Sequence, residues 1–563
     1  MIKRRDWLKR TGLAGLGTVA GGALVGCGDD DGMTTPDAGE GVDGSVGTDA
    51  GVDGGPMLPP LPTSGFIHGV ASGDPLPDAV ILWTRITPED GGLASADVDY
   101  TVATDPELTD VVASGTFTTD ADRDWTVKVD VTGLDPATTY YYGFTGLGFT
   151  SPVGRTKTAP SGSVDRLRFV VMSCASYAHG WFHVYRHVSE IQDLDACVHL
   201  GDYIYEYGSG DYGGMREYDP PDEIVSLSDY RRRYAHYRLD PDLQAVHQQH
   251  PFICVWDDHE TTNDSWSGGA ENHDASEGDW EERKSVALQA NLEWLPTRET
   301  EDGHLWRKLA YGDLVDLIML DTRIWGRDEQ VSRSELADAD PARTILGDDQ
   351  EAWLEEQLEA STATWKVLGQ QVMVGQWDAE SEEGEFSPNN TDQWDGYPGA
   401  RERLFAAIAD VENPVVLTGD IHSHWAQELT SDPHDPEAYD PETSEGSVGV
   451  EFVTSAVSSP GAPGVIGMAL EEAALEANPH LRYVNFRQRG WIVLDLTAAR
   501  VQADYYVVDG VLADEGEPSH AISYACAAGE RRLEEASGPT EDRGDAPAFA
   551  PDPPARRLPV SAR

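Results

Sequence analysis

Residues 193–208 read DLDACVHLGDYIYEYG. A short run apolar enough for a buried strand (Ala196, Cys197, Val198, Leu200) breaks at Gly201, presents Asp202, and three residues later presents Tyr205. A turn calls for the glycine and accepts the aspartate, but nothing in turn geometry asks for a tyrosine at that spacing. The same punctuation recurs along the chain. LRFVVMSC ends on Cys174, PFICVWDDHE carries Asp257, Asp258 and His259, and NPVVLTGDIH carries Asp420 and His422. With DLVDLIMLDTR, TWKVLGQQV, GVEFVTSA and GWIVLDLT, these are continuous apolar runs separated by helical patterns. Strands covered on both faces read this way, so the chain after Leu167 is α/β. Among the helices, residues 348–360 open on acidic side chains and repeat Trp353, Leu354 and Leu358 at helical spacing, a core face.

Upstream, from 63 to 160, the pattern changes to short alternating runs such as AVILWTRI, VDYTVAT, WTVKVDV and TTYYYGFT, separated by turn residues. Alternation rich in Val, Thr and Tyr predicts a small immunoglobulin- or fibronectin-like β-sandwich. The α/β domain is expected over 165–512, and a C-terminal segment over 513–563, loose from about Ser537 where Pro, Ala and charge dominate. The first 26 residues carry Arg4 and Arg5, a Gly/Ala-rich apolar middle, and Leu24-Val25-Gly26 before Cys27. This resembles a twin-arginine export signal, although Lys3 and Trp7 depart from the usual residues, fused to a lipoprotein signal that leaves Cys27 lipidated. It implies the twin-arginine export machinery as a transient partner and a membrane held through the lipid on Cys27, in the periplasm or on the cell surface. Residues 27–62 are Gly, Asp, Pro and Thr with scarcely a large apolar side chain, a flexible linker.

The 563 residues carry 40 basic and 100 acidic side chains, a formal charge of −60. Nucleic-acid binding rests on Lys and Arg neutralising phosphates, so it is excluded as a role. An anionic substrate must find its positive charge locally, because distant surface charges are screened beyond about 8 Å. The five cysteines show no paired zinc-finger spacing; Cys197 and Cys254 lie inside apolar runs and read as inert thiols or as a bridge between neighbouring strands.

In open α/β sheets ligands bind beyond the carboxyl ends of the strands, so the chemistry-bearing tips converge on one site. A tyrosine holds its proton with a pKa near 10, and displacing it near neutrality calls for a strongly acidic cation. Cys174 beside Tyr205 therefore suggests ferric iron, with Asp202 able to bridge to a second ion. Oxygen donors from Asp202, Asn263 and Asp420 suit a hard cation such as calcium.

The motifs GDYIYEYG, PFICVWDDHETTND, ERKSVALQANLEWLP, YGDLVDLIMLDTR, TWKVLGQQVM, WDGYPGARERL and VVLTGDIHSHWA, in this order, resemble the PhoD family of alkaline phosphatases, within the calcineurin-like metallophosphoesterases. The resemblance implies a four-layer αββα metallophosphoesterase sandwich preceded by the small β-sandwich, and a site with Fe3+ and one or two Ca2+. Carried over, Cys174, Asp202, Tyr205 and His422 hold the iron, and Asp202, Asn263 and Asp420 the calcium. Arg283, or else Lys284, corresponds to a phosphate-clamping cation. Asp258 and His259 are read as catalytic or substrate-contacting, Asp257 as supporting them or capping the segment after its strand, and His424 receives no role. The expected activity is hydrolysis of small-molecule phosphoesters, monoesters and possible diesters, by metal-activated water. A phospholipase D-like phosphodiesterase on the same scaffold, and a non-catalytic lipid-anchored binding protein, are the alternatives. A monomer is expected.

Overall fold

A computed structural model describes residues 63–300, 302–378, 388–544 and 546–551. The signal and linker readings fall outside these residues. The apolar runs do form buried strands, and the alternation along each one decides its layer. In the strand Arg166–Met172, Phe169 and Val171 point one way and Val170 and Met172 the other, and both sets are buried. The strand needs cover on both faces and receives it.

The larger sheet has ten strands in the order Glu534–Glu535, Pro518–Ala527, Arg500–Val508, Gly490–Thr497, Arg166–Met172, Ala196–His199, Pro251–Cys254, Val70–Leu76, Ala79–Arg85, Thr126–Thr132. Its centre is parallel, with Phe169 beside Ala196, Cys197 beside Phe252, and Ser72 beside Pro251. The second sheet has seven strands, ordered Arg307–Tyr311, Val315–Met319, Trp365–Gly369, Pro414–Thr418, Gly449–Val453, His424–Leu429, Leu481–Asn485. The sheets meet through one core that includes Phe169, Val171 and Val198 from the first and Leu317, Val367, Leu417 and Phe452 from the second. Outside the first sheet, Val170, Cys197 and Phe252 pack against helices Leu227–Tyr237, Pro241–Gln249 and Trp280–Trp294. Outside the second, Ile318, Leu368 and Val416 pack against Asp348–Ala360 and Pro398–Ala409. The layering is helix, sheet, sheet, helix.

The N-terminal β-sandwich is present, yet it is not a separate bead. One of its faces is a sheet containing Val111–Thr119, Ala96–Ala103, Thr139–Gly146 and Gly154–Lys157. The opposing face is made of Val70–Leu76, Ala79–Arg85 and Thr126–Thr132, strands of the ten-stranded catalytic sheet. Val80, Leu82, Val98, Val102, Val127, Tyr142 and Phe144 share the core between them. The edge that the parallel sheet would otherwise expose beyond Pro251–Cys254 is thereby covered.

The C-terminal boundary also differs from the expectation. The strand Pro518–Ala527 extends the large sheet, pairing Tyr505 with Ile522. Beyond Ser537 the described chain is held by polar contacts instead of an apolar core. Asp542 meets Arg168, the Arg543 backbone N–H donates to Asp193, and the carbonyls of Ala548 and Ala550 accept from Tyr141 and Gln249. Composition registers missing apolar side chains and is blind to such main-chain bonds. Cys197 and Cys254, on adjacent strands, are free buried thiols and form no bridge.

Candidate active site

The strands Arg166–Met172, Ala196–His199 and Pro251–Cys254 of one sheet and Pro414–Thr418 of the other end at the same crevice. Immediately past these tips, Cys174 (φ 61°), Asp202 (φ 54°), Asp420 (φ 58°) and His422 (φ 54°) all adopt the left-handed backbone conformation. For residues with a Cβ this costs roughly 1 kcal/mol or more each, and the surrounding hydrogen bonds must hold it in place. Cys174 N–H donates to Gly201 O at 3.1 Å and Ala175 N–H to Asp202 O at 2.8 Å, so the first two tips are stitched together. Gly201 lets the third approach: a Cβ there would collide with Asp257 Cβ and N. Glu260 completes the frame, its carboxylate accepting from the backbone N–H of Asp202 (3.1 Å), Tyr203 (2.6 Å) and Asp257 (2.8 Å).

Three sets of donors result. Ligand atoms of Cys174, Asp202 and His422 lie within 4.8 Å of one another, as do those of Asp202, Asp258 and His259, and those of Asp257, Asp258 and Asp420. All of these residues are buried. Asp202 belongs to two sets and Asp258 to two, so the sets form one chain of donors. Tyr205 joins the first: its hydroxyl donates to Asp202 Oδ2 at 2.9 Å, lies 3.2 Å from His422 Nε2, and accepts from Ser459 Oγ at 2.7 Å. His259 stacks on the Tyr205 ring at 4.2 Å and meets Glu206 Oε2 through Nδ1 at 2.7 Å. Asn263 is buried as well. Its side chain accepts from Tyr207 OH (3.1 Å) and donates to Glu271 (2.8 Å), and its backbone N–H shares Glu206 with His259.

The electrostatics ask for cations. Burial, followed by repulsion among neighbouring carboxylates, pushes Asp202 and Asp420 well above the usual carboxylate range. Burial raises Asp257 to about 6 and Glu260 to about 8. Arg323 answers part of the charge. Its Nε donates to Asp257, Nη1 to Asp392 at 2.8 Å and Nη2 to Asp420 at 2.8 Å, with Asp258 3.5 Å away. Burial opposes its charge, but these four aspartates hold it firmly protonated. One guanidinium cannot balance the whole set. Asp202 Oδ1, Asp257 Oδ2 and Asp258 Oδ1 are buried with no hydrogen-bond donor, a costly condition unless a bound ion uses them. The residues therefore fit metal ions: thiol, phenol, imidazole and carboxylate at one end, carboxylates alone at the other, and Asp202, Asp258 and His259 between them.

The expected residues divide in the structure. Cys174, Asp202, Tyr205, Asp420 and His422 converge as expected. Asp258 and His259, read as catalytic, have their ligand atoms inside the donor sets, and Asp257 holds Arg323 instead of capping a helix. Arg283 does not reach the crevice. It lies on the buried face of the helix Trp280–Trp294, donating to Glu223 Oε1 (2.7 Å), Glu277 Oε2 (3.1 Å), Ile224 O (3.0 Å) and Tyr230 OH (3.2 Å). Lys284 binds Ser267 O and Glu281 at 3.1 and 3.0 Å. The clamp reading fails for both, because a helix's basic residues reveal nothing about which way they face once the helix packs. His424 supports a neighbouring strand, its Nδ1 accepting from Ser455 N–H at 3.0 Å while burial lowers it to about 3. Sequence reading missed Arg323, Asp392, Glu260 and Ser459. Arg323 stood just past the apolar run DLVDLIML, the one signal available for it.

Comparisons with known proteins place the chain in a family. The pattern of the PhoD-like phosphatase family matches residues 169–505, and that of the PhoD-like phosphatase N-terminal domain matches 59–160. Alkaline phosphatase D of Bacillus subtilis (strain 168) is 37% identical over 480 residues, 81% of this chain and 79% of that protein. A solved structure of PhoD superposes with a TM-score of 0.76 at 34% identity, covering 86% of this chain and 94% of that one.

Proposed function

The chain belongs to the PhoD-like phosphatase family, and from that premise we propose that it is an exported, lipid-anchored alkaline phosphatase that releases phosphate from small phosphomonoesters with resident iron and calcium. The observation that carries the metal assignment is the chain of shared carboxylates: Asp202 links the Cys174–His422 set to the Asp258–His259 set, and Asp258 links that set to the all-carboxylate one. Cys174, Tyr205 and His422 with Asp202 would hold the ferric ion. Asp258, Asp420 and Asn263 with Asp202 would hold calcium. Bound there, the ions supply Lewis acidity, neutralising phosphoryl oxygens and making water a nucleophile near neutral pH.

The chain's own groups do the rest. Glu260 keeps the tips carrying Asp202 and Asp257 in register, and Arg323 fixes the orientation of Asp257 and Asp420. Ser459 and Asp202 hold the Tyr205 hydroxyl from two sides, so its oxygen is placed before any substrate arrives. Export and the lipid on Cys27 rest on the sequence of the first 27 residues alone.

The test is elemental analysis of the purified mature protein with assays on an aryl monophosphate and a bis-aryl diester. Wild type is expected to carry iron and calcium, to show a tyrosinate-to-iron absorption band, and to favour the monoester. Tyr205→Phe is expected to lose the band and most of the iron. Retention of full iron and full hydrolysis by that variant would overturn the ligand assignment, and preference for the diester would reassign the substrate.

A further inference from the structure

With Arg283 turned away and Arg323 committed to four aspartates, the crevice still needs a cation for the substrate. Arg489 has the required properties. Only 5% of it is exposed. Its Nη1 donates to Ser459 O and its Nη2 to Phe486 O, both at 3.0 Å, while Nε is buried with no hydrogen-bond partner. Among the described residues no carboxylate forms an ion pair with it, which sets it apart from Arg283, Arg323 and Arg327. Its charge bears on Cys174, Tyr205, Tyr212 and His422, the mixed-donor side of the site. Burial brings it down only to about 10, so it stays charged at neutral and mildly alkaline pH.

The surroundings are shaped to hold it. Gly461 lies so close against the guanidinium that a Cβ there would overlap Nη1 and Nη2. Ser459, whose carbonyl anchors Nη1, also bonds Tyr205 OH at 2.7 Å and Cys174 O at 2.9 Å through its hydroxyl. The guanidinium is thus fixed by main-chain carbonyls to the loop that positions two of the mixed donors. Carbonyls orient an arginine without cancelling its charge. Arg233 is likewise buried, held by carbonyls and, among the described residues, without an ion pair; what singles out Arg489 is that its charge bears on Cys174, Tyr205 and His422, where a phosphoryl group would supply the counter-charge.

Resting on the phosphatase reading above, we propose that Arg489 is the residue that binds the substrate's phosphoryl oxygens, through Nε–H and the remaining Nη protons, a pairing for which the guanidinium fork is suited. The experiment is competition by inorganic phosphate during aryl phosphate hydrolysis, with iron and calcium measured on the same preparations. Wild-type turnover and metal content test the phosphatase reading by themselves. Arg489→Gln is expected to keep its metals and absorption band, to weaken phosphate inhibition by about ten- to a hundredfold, in keeping with the loss of charged hydrogen bonds, and to raise KM by a similar factor; Arg489→Lys recovers part of the loss. Unchanged phosphate inhibition in metal-replete Arg489→Gln overturns the proposal. If that variant loses its metals or fails to fold, Gly461→Ala decides: the added methyl displaces the guanidinium while leaving the residue in place. Weakened phosphate inhibition with iron retained supports the assignment, and unchanged inhibition overturns it.

Discussion

On the Asp257–Asp258–Asp420 side of the cluster, carboxylates close on the guanidinium of Arg323. On the Cys174–Tyr205–His422 side, the donors are a thiol, a phenol and an imidazole, and the guanidinium there, Arg489, is held by carbonyls. On the proposed assignment, one crevice prepares two kinds of cation site. Carboxylates repel one another whenever they are buried together and need a protein cation to hold them in place. Neutral donors can be assembled by ordinary hydrogen bonds, so that side leaves its arginine uncommitted.

The largest effect should come from Asp202, which ties the mixed-donor set to the Asp258–His259 set that leads to the carboxylate side. Asp202→Asn is expected to deplete iron and calcium together and to lower kcat/KM by about a thousandfold, the scale of several kcal/mol of lost charge stabilisation. Full retention of either ion would break the idea of a shared ligand. Next comes Glu260, which lies in none of the donor sets but holds the backbones of Asp202, Tyr203 and Asp257. Glu260→Gln swaps one acceptor oxygen for a donor, and a loss of about ten- to a hundredfold in activity is expected. Metal analysis sharpens the comparison: matched depletion of both ions is the expected result, and depletion of calcium alone would show that Glu260 serves only the carboxylate side.

The smallest effect lies outside the site and sets a baseline for it. Burial lowers His480 to about 3 and His236 to about 4. Both folded values lie below the unfolded value near 6.5, so as pH falls the unfolded chain takes up protons first. The stability these residues contribute is complete above pH 6.5 and declines as pH drops toward 4, by about 1.4 kcal/mol per pH unit for each. Denaturant unfolding at pH 7 and pH 5 should show this loss, and His480→Gln should show less of it. Equal pH dependence in the two proteins would remove His480 from the account.

The strand tips were legible in advance because their signal is local. An apolar run stopping at a glycine or a polar residue marks a strand end, and Cys174, Asp202, Asp257 and Asp420 all stand just past such ends. Tyr205 was legible by its spacing from Asp202. Arg283 misled because it is a basic residue on a helix near other site motifs, and its direction depends on Glu223 and Glu277, which only folding brings beside it. Arg323 was hidden for the converse reason: its partners Asp257, Asp392 and Asp420 are scattered over the sequence. The β-sandwich was recognised from its alternation, but its continuity with the catalytic sheet depends on Ser72 pairing with Pro251, and no pattern near either residue states that.

The amino-acid order alone determined which segments must be buried on both faces and which donor types stand at their ends, since both come from side-chain chemistry and short-range periodicity. Only the tertiary structure decided which donors share a centre, which carboxylates Arg323 neutralises, and which arginine keeps its charge available. Those outcomes depend on distances between residues far apart in the chain, and a few ångströms in a buried, poorly screened site separate an ion pair from an unused charge.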